Sequence, residues 1–312
     1  MKSVLKKIAF FLALLFSAIF CFYSINQYLF DRYVPLIEKD KSILAMGMSF
    51  SQFALNDSLI PSFENASMKG RTGLGIYLST KKICVANPHL EAVIVDFSVL
   101  HTLIYRDYKF FLPIFAASEF YGIYPLANWQ DLKAYPLNYK EYFTNQVREE
   151  WVPNWTYVRK AMGLDPLDSS DNWPYRGSYS PQEGVHLEDL DEWISRLKRM
   201  QAYAGDSAVF STTDLSYMDS LVYFGREEDL DLFVFCAPIH RELTGLLPPH
   251  YFKAYEEKKK WLRQTEGVHL LEFDTLQVED DYFYNHSHLN KQGAEWISPL
   301  VAREIELKMD KR

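Results

Sequence analysis

Three cysteines in 312 residues are too few for a disulfide framework, and their spacing shows no metal-binding pattern. Cys21 falls in an apolar run near the N-terminus. Cys84 and Cys236 lie in or beside apolar segments and read as small core residues. A bridge between these two stays open in an oxidising compartment. Basic charge is short as well: 33 Lys and Arg face 41 Asp and Glu, for a net charge of −8. No basic stripe compensates, so binding to a nucleic-acid backbone is set aside. Internal repeats and low-complexity tracts are absent, which removes solenoids and disordered linkers as organising ideas. One further absence is local: no charged residue occurs between Lys7 and Asp31.

That uncharged stretch is preceded by Lys2, Lys6 and Lys7, and it is apolar from Ile8 to about Tyr23. A helix of about 20 apolar residues spans a bilayer core, and basic residues stay on the cytoplasmic side. The expectation is an uncleaved single-pass anchor over residues 1–30, with the main domain outside the cytoplasm. The rival is a cleaved leader. Phe16-Ser17-Ala18 is a poor cleavage site, and Phe20 before Cys21 does not suit a lipoprotein signal.

Apolar residues make up 48% of the chain and can fill a core; aromatics reach 16% and many cluster between Tyr105 and Tyr179. Short apolar runs at Ser42–Met46, Ala92–Val95, Asp231–Cys236 and Val268–Phe273 read as strands. Helical stretches follow Phe50–Asn56, Tyr251–Arg263 and Gln292–Met309, the last with Asn290 as N-cap. Strands alternating with helices imply an α/β fold with a mostly parallel sheet. The core reads as residues 31–106 and 226–312. Residues 107–225, rich in Trp and Pro, read as an inserted, mostly helical subdomain with a helix over Leu187–Tyr203. It would be a lid or a passive elaboration. Lys258-Lys259-Lys260 reads as a solvated helix face.

Ligands of parallel sheets bind at the carboxyl ends of the strands. Those ends carry Gly47-Met48-Ser49, Asp96-Phe97-Ser98, Pro238-Ile239-His240 and the loop leading to His288. Ser49 stands at a strand-to-helix turn, where Gly47 permits a tight backbone. Helix N–H groups there could face an oxyanion. A plain helix cap is the other reading. His288, just before the last helix, could meet Ser49 and act as its base. His101 and His286 are further candidates for the same cleft, and His240 could line it.

These segments, with His288-Leu289-Asn290 and Gly293-Ala294, resemble the SGNH/GDSL hydrolase superfamily. They are most similar to its exported, anchor-bearing members whose first block reads Gly-Asp-Ser-His or Gly-Ser-Ser-His. Asn56-Asp57-Ser58-Leu59-Ile60-Pro61 and Asn65-Ala66-Ser67 through Gly70 fit the same pattern. The resemblance implies a three-layer, flavodoxin-like sheet, Ser49 as nucleophile, His288 as base and backbone donors at Ser49 and Gly70. It implies hydrolysis or transfer of an acyl ester, often on carbohydrate, with no cofactor. Asn65, Ser98 and His240 are the side chains that could border the oxyanion or the substrate.

The chain departs from that pattern in places. The usual acid, three residues before the histidine, is Asn285; Asp280 or Asp281 could replace it. Met48 and Phe50 stand where the family often has aspartate and histidine. Asp96-Phe97-Ser98 occupies the third block, without its asparagine. Two readings follow: an extracytoplasmic serine esterase or O-acyltransferase acting on a small-molecule or glycan ester, or a non-catalytic descendant that binds glycan or takes part in envelope assembly.

Overall fold

Four of the apolar runs form strands, and a fifth short strand joins them. In the computed structural model, residues 2–32, 34–103, 177–187, 211 and 213–310 are described, with isolated positions between 190 and 198. Strands β1 (Ile43–Ala45), β2 (Phe63–Asn65), β3 (Ala92–Asp96), β4 (Asp231–Cys236) and β5 (Val268–Glu272) make one sheet in the order β2-β1-β3-β4-β5. Every pairing is parallel. This 2-1-3-4-5 order is that of flavodoxin-like doubly wound sheets.

The burial explains the apolar runs. Each residue of β1, β3 and β4 is buried, as expected for strands covered on both faces. β5 is buried at Val268 and Leu271, half-buried at its other three positions, and closes one edge. β2 was not expected. It is three residues long and contains Glu64, so no apolar run marks it, and Ser62 enters it in the left-handed region at φ 54°.

The helices alternate with the strands. They are α1 (Lys2–Arg32), α2 (Ser49–Ala54), α3 (Gly73–Ala86), α4 (Thr213–Glu227), α5 (Arg241–Leu246), α6 (Pro249–Arg263) and α7 (Lys291–Met309). α4 packs on α3, and Asp214 Oδ1 accepts the Gly73 N–H at 2.9 Å, closing the first turn of α3. Asn290 caps α7 as expected, its Oδ1 accepting from the Gly293 N–H at 3.0 Å. Between β5 and α7 lies an unexpected antiparallel pair, β6 (Phe283–Asn285) and β7 (His288–Leu289). It fixes the position of the His288 segment.

One expectation needs correction. Lys259 is not on a solvated face. It is only 1% exposed, and its ammonium lies 2.9 Å from both Glu272 and Asp274. Cys84 and Cys236 are free and buried, in keeping with their reading as small core residues, and the bridge left open between them is not formed.

Among the described residues no helix is long and apolar enough to cross a membrane. The side chains at 18–20, 22–23 and 25–32 are outside the described set. Those that are described on α1, among them Phe10, Phe11, Leu14 and Phe16, are exposed. Just beyond α1 the chain is tied to the core: Asn87 Oδ1 accepts the Ile37 N–H at 2.7 Å, and its amide donates to Pro35 O at 2.9 Å. Most of the 107–225 insertion lies outside the described residues; within the helix expected over Leu187–Tyr203, the described positions 190, 191, 193–195 and 198 are helical.

Candidate active site

The turn after β1 is shaped by a close approach. A Cβ on Gly47 would stand 2.5 Å from Ser51 Oγ and 2.8 Å from Asp96 Cγ. Only glycine lets the Asp96 carboxylate come this near. Asp96 accepts the Met48 N–H at 2.8 Å and the Ser51 N–H at 3.0 Å. Met48, not Ser49, is therefore the N-cap of α2, and Asp96 supplies the acceptors that a capping side chain would give. Ser49 is the first helical residue, and its hydroxyl is free of capping duty.

That hydroxyl meets His288. Ser49 Oγ and His288 Nε2 are 2.7 Å apart, although the two residues are 239 positions apart in sequence. On the far side of the ring, His288 Nδ1 lies 3.0 Å from Asn285 Oδ1. The amide orientation follows from a second donor: the Ser287 N–H points at the same oxygen, at 3.0 Å. An oxygen must therefore face the imidazole, so Nδ1 carries the proton and Nε2 presents its lone pair to Ser49. Asn285 thus fixes the tautomer as the usual carboxylate would.

The ring sits between two phenylalanines of α2. Phe50 is 5.2 Å from it, tilted, and Phe53 is 5.2 Å from it, edge-on. This burial pushes the imidazole down to about 4, and the negative charge of Asp96 opposes the shift. At neutral pH His288 is therefore uncharged, with the Nε2 lone pair free to accept a hydrogen bond from Ser49. Asp96 is itself charged. Burial raises its pKa, but His101, then the Met48 and Ser51 N–H groups, hold it below the ordinary carboxylate value. His101 Nε2 is 3.6 Å from Asp96 Oδ1.

The remaining candidates take other places. Gly70, at φ 81°, stands in the turn before α3. Two residues earlier Met68 donates to Gly47 O at 3.1 Å, and Lys69 N–H donates to Gln52 Oε1 at 2.7 Å. The Gly70 segment therefore runs beside the start of α2. Asn65 is buried and points inward: its amide donates to Ser51 O at 2.9 Å and Leu55 O at 2.6 Å, and its Oδ1 accepts from Ser67 N. It holds α2 in place. Ser98 Oγ is 2.9 Å from His101 Nδ1, in a reciprocal cap of the turn Val99–Thr102. His240 Nε2 is 3.1 Å from Asp280 Oδ1, and Arg241 reaches the other oxygen. Asp280 therefore does not serve His288. Asp281 O accepts from the Asn290 amide at 2.7 Å.

One element was hidden in the insertion. Residues 177–187 form a strap between the two halves of the site. Gly177 N–H donates to Ala66 O at 2.9 Å, and Ser180 N–H to Gln52 O at 3.1 Å. Further along, Gln182 O accepts from Lys291 N–H at 2.8 Å, and His186 N–H donates to Tyr284 O at 2.6 Å. The strap thus links α2, which carries Ser49, to β6 and α7, which flank His288. Gly177 is required, since a Cβ there would lie 2.2 Å from Ser67 O. Nothing in the run of prolines and tryptophans before it marks this role.

A cavity of about 860 Å³, lined by Arg226, Asp231, Gly267, His269 and Lys308 among others, opens at the other edge of the sheet. It borders the amino ends of β4 and β5, away from the strand ends that carry Ser49. No family model matches the chain, and no curated protein matches it.

Proposed function

We propose that the chain is a serine esterase or O-acyltransferase of the SGNH type, acting outside the cytoplasm on an acylated substrate, with carbohydrate as the acyl carrier. The observation that carries this reading is the Ser49 Oγ–His288 Nε2 contact of 2.7 Å, with Asn285 on the second ring nitrogen. It is supported by the 2-1-3-4-5 strand order and by the location of the pair at the carboxyl ends of the strands.

In the reaction, Ser49 Oγ attacks the carbonyl carbon while His288 Nε2 takes its proton. The ester's alkoxy group then leaves as an alcohol with that proton, and the acyl group stays on Ser49. Water, or a hydroxyl of a second sugar, attacks next; His288 takes its proton and returns it to Ser49. The N–H groups of Ser49 and Gly70 are the proposed oxyanion donors. The anchor belongs to the same proposal: the uncharged run from Ile8 and the exposed apolar side chains of α1 support a single membrane span.

A second reading rests on Asn285. An amide orients the imidazole but cannot stabilise its charged form as a carboxylate does, which favours a descendant that binds its ligand without turnover. One experiment separates the two. The full chain in detergent is treated with a fluorophosphonate and assayed with an aryl acetate. Labelling and hydrolysis that both disappear in Ser49→Ala are expected. A folded chain that takes no label and releases no product leaves the binding reading.

A further inference from the structure

The end of β4 and the β6–β7 turn meet at a second point, where His240 N–H donates to His286 O at 3.0 Å. Both imidazoles are buried there, edge to face at 5.2 Å, beside the exposed carboxylate of Glu242 on the first turn of α5. We propose that His240, Glu242 and His286 form a binding site for a divalent metal ion of the zinc class.

One atom from each residue converges, all within 4.8 Å of one another. Glu242 Oε2 is 3.2 Å from His286 Nε2 and 3.9 Å from His240 Nδ1. Zinc bonds of about 2.0–2.1 Å in a tetrahedron put ligand atoms about 3.3 Å apart; the Glu242–His286 pair already has that spacing, the Glu242–His240 pair closes by about half an ångström, and the two imidazole nitrogens, within 4.8 Å of each other, draw in by at most about 1.5 Å. The donor set, two imidazoles and one carboxylate with a fourth position open, is one that zinc favours. Among the described residues, His240 Nδ1 is otherwise engaged only by a long 3.4 Å contact from the Glu242 N–H. Its other nitrogen, Nε2, faces Asp280 Oδ1 at 3.1 Å. A carboxylate on the distal nitrogen orients a metal-binding histidine and raises its basicity. Arg241 in turn holds Asp280 at 3.2 Å.

His286 is wholly buried, and its Nε2 faces the Glu242 carboxylate. Its Nδ1, on the opposite side of the ring, has no hydrogen-bond partner among the described residues and would keep the proton when Nε2 ligates. Glu242 gives the ion a route in from solvent, because its side chain is 55% exposed. A bound ion would clamp α5 to the turn two residues before His288. The site does not depend on the chemistry at Ser49.

The test uses the full chain in detergent, stripped with a chelator and titrated with Zn²⁺, then with Co²⁺ as a visible-light reporter of tetrahedral ligation. One equivalent bound saturably, with a rise in melting temperature, is expected. Asp280→Asn should weaken binding about 10–100-fold, and Glu242→Gln, which removes a ligand, should weaken it more. Glu242 is at the surface, so an unchanged metal-free melting temperature separates lost ligation from lost folding. No saturable binding, or equal binding by both variants and the unaltered chain, would overturn the proposal. That result would leave a purely hydrogen-bonded cluster.

Discussion

Asn285 Oδ1 is surrounded by donors: the Ser287 N–H, the Ser287 hydroxyl and His288 Nδ1–H. A carboxylate of the same shape would meet the same three donors with no clash of charge. Asn285→Asp should therefore raise turnover of an aryl ester at least about tenfold with KM little changed. The aspartate-to-asparagine change in a serine protease costs about 10⁴. Steady-state kinetics check it; an unchanged kcat would mean that Asp96 already supplies the charge. Asp96 invites its own experiment. Asp96→Asn removes a buried charge that accepts two backbone N–H groups, and should lower stability by about 1.5–3 kcal/mol in urea melts. It should also lower turnover, because the Ser49 turn loses its anchor. Ser49 and His288 were legible in the sequence because each stands at an element boundary. The role of Asp96 was not: the sequence puts it at the end of β3 but does not say that its carboxylate turns back to the β1 loop. The same limit hid the pairing of His240 with His286, both singled out separately, which are far apart in the chain and close only once β4 and β6–β7 are assembled.

At the scale of elements, the link between α6 and β5 shows where patterning misleads. Three lysines in a row read as a wet face, yet the helical period turns the middle one inward. Lys259 meets Glu272 and Asp274, and Arg263 meets Glu272 at 2.6 Å. Lys259→Ala leaves two carboxylates without their buried partner and should cost about 3 kcal/mol, measured by thermal or urea unfolding. The same cluster sets a pH dependence. The hydrogen bond from Arg263 comes first, and despite some burial Lys259 adds to it, so that Glu272 is lowered to about 2. Its contribution to stability is complete above the ordinary carboxylate pKa of 4.5 and is lost as pH falls towards about 2. Urea midpoints over that interval should fall more steeply in the unaltered chain than in Glu272→Gln. β1, β3 and β4 were readable because strands buried on both faces are almost continuously apolar, and β5 because Val268, Leu270 and Leu271 still mark a short apolar run at the sheet edge. β2 and the 177–187 strap carry no such signature: one has three residues, and the other is held by main-chain hydrogen bonds that, Gly177 apart, do not depend on which side chain is present.

The molecule as a whole has its sheet, its helices and its Ser–His pair in one α/β unit, with α1 leading into it. If the proposed anchor is right, the full chain should sediment with membranes, resist alkaline extraction and enter solution only with detergent. Recovery in the soluble fraction would remove that part of the proposal. The 239-residue separation between hydroxyl and imidazole has a consequence for biosynthesis. A polypeptide leaving the ribosome presents Ser49 long before His288. A product that stopped after Glu272 would hold all five strands of the main sheet yet lack the imidazole that faces the Ser49 hydroxyl.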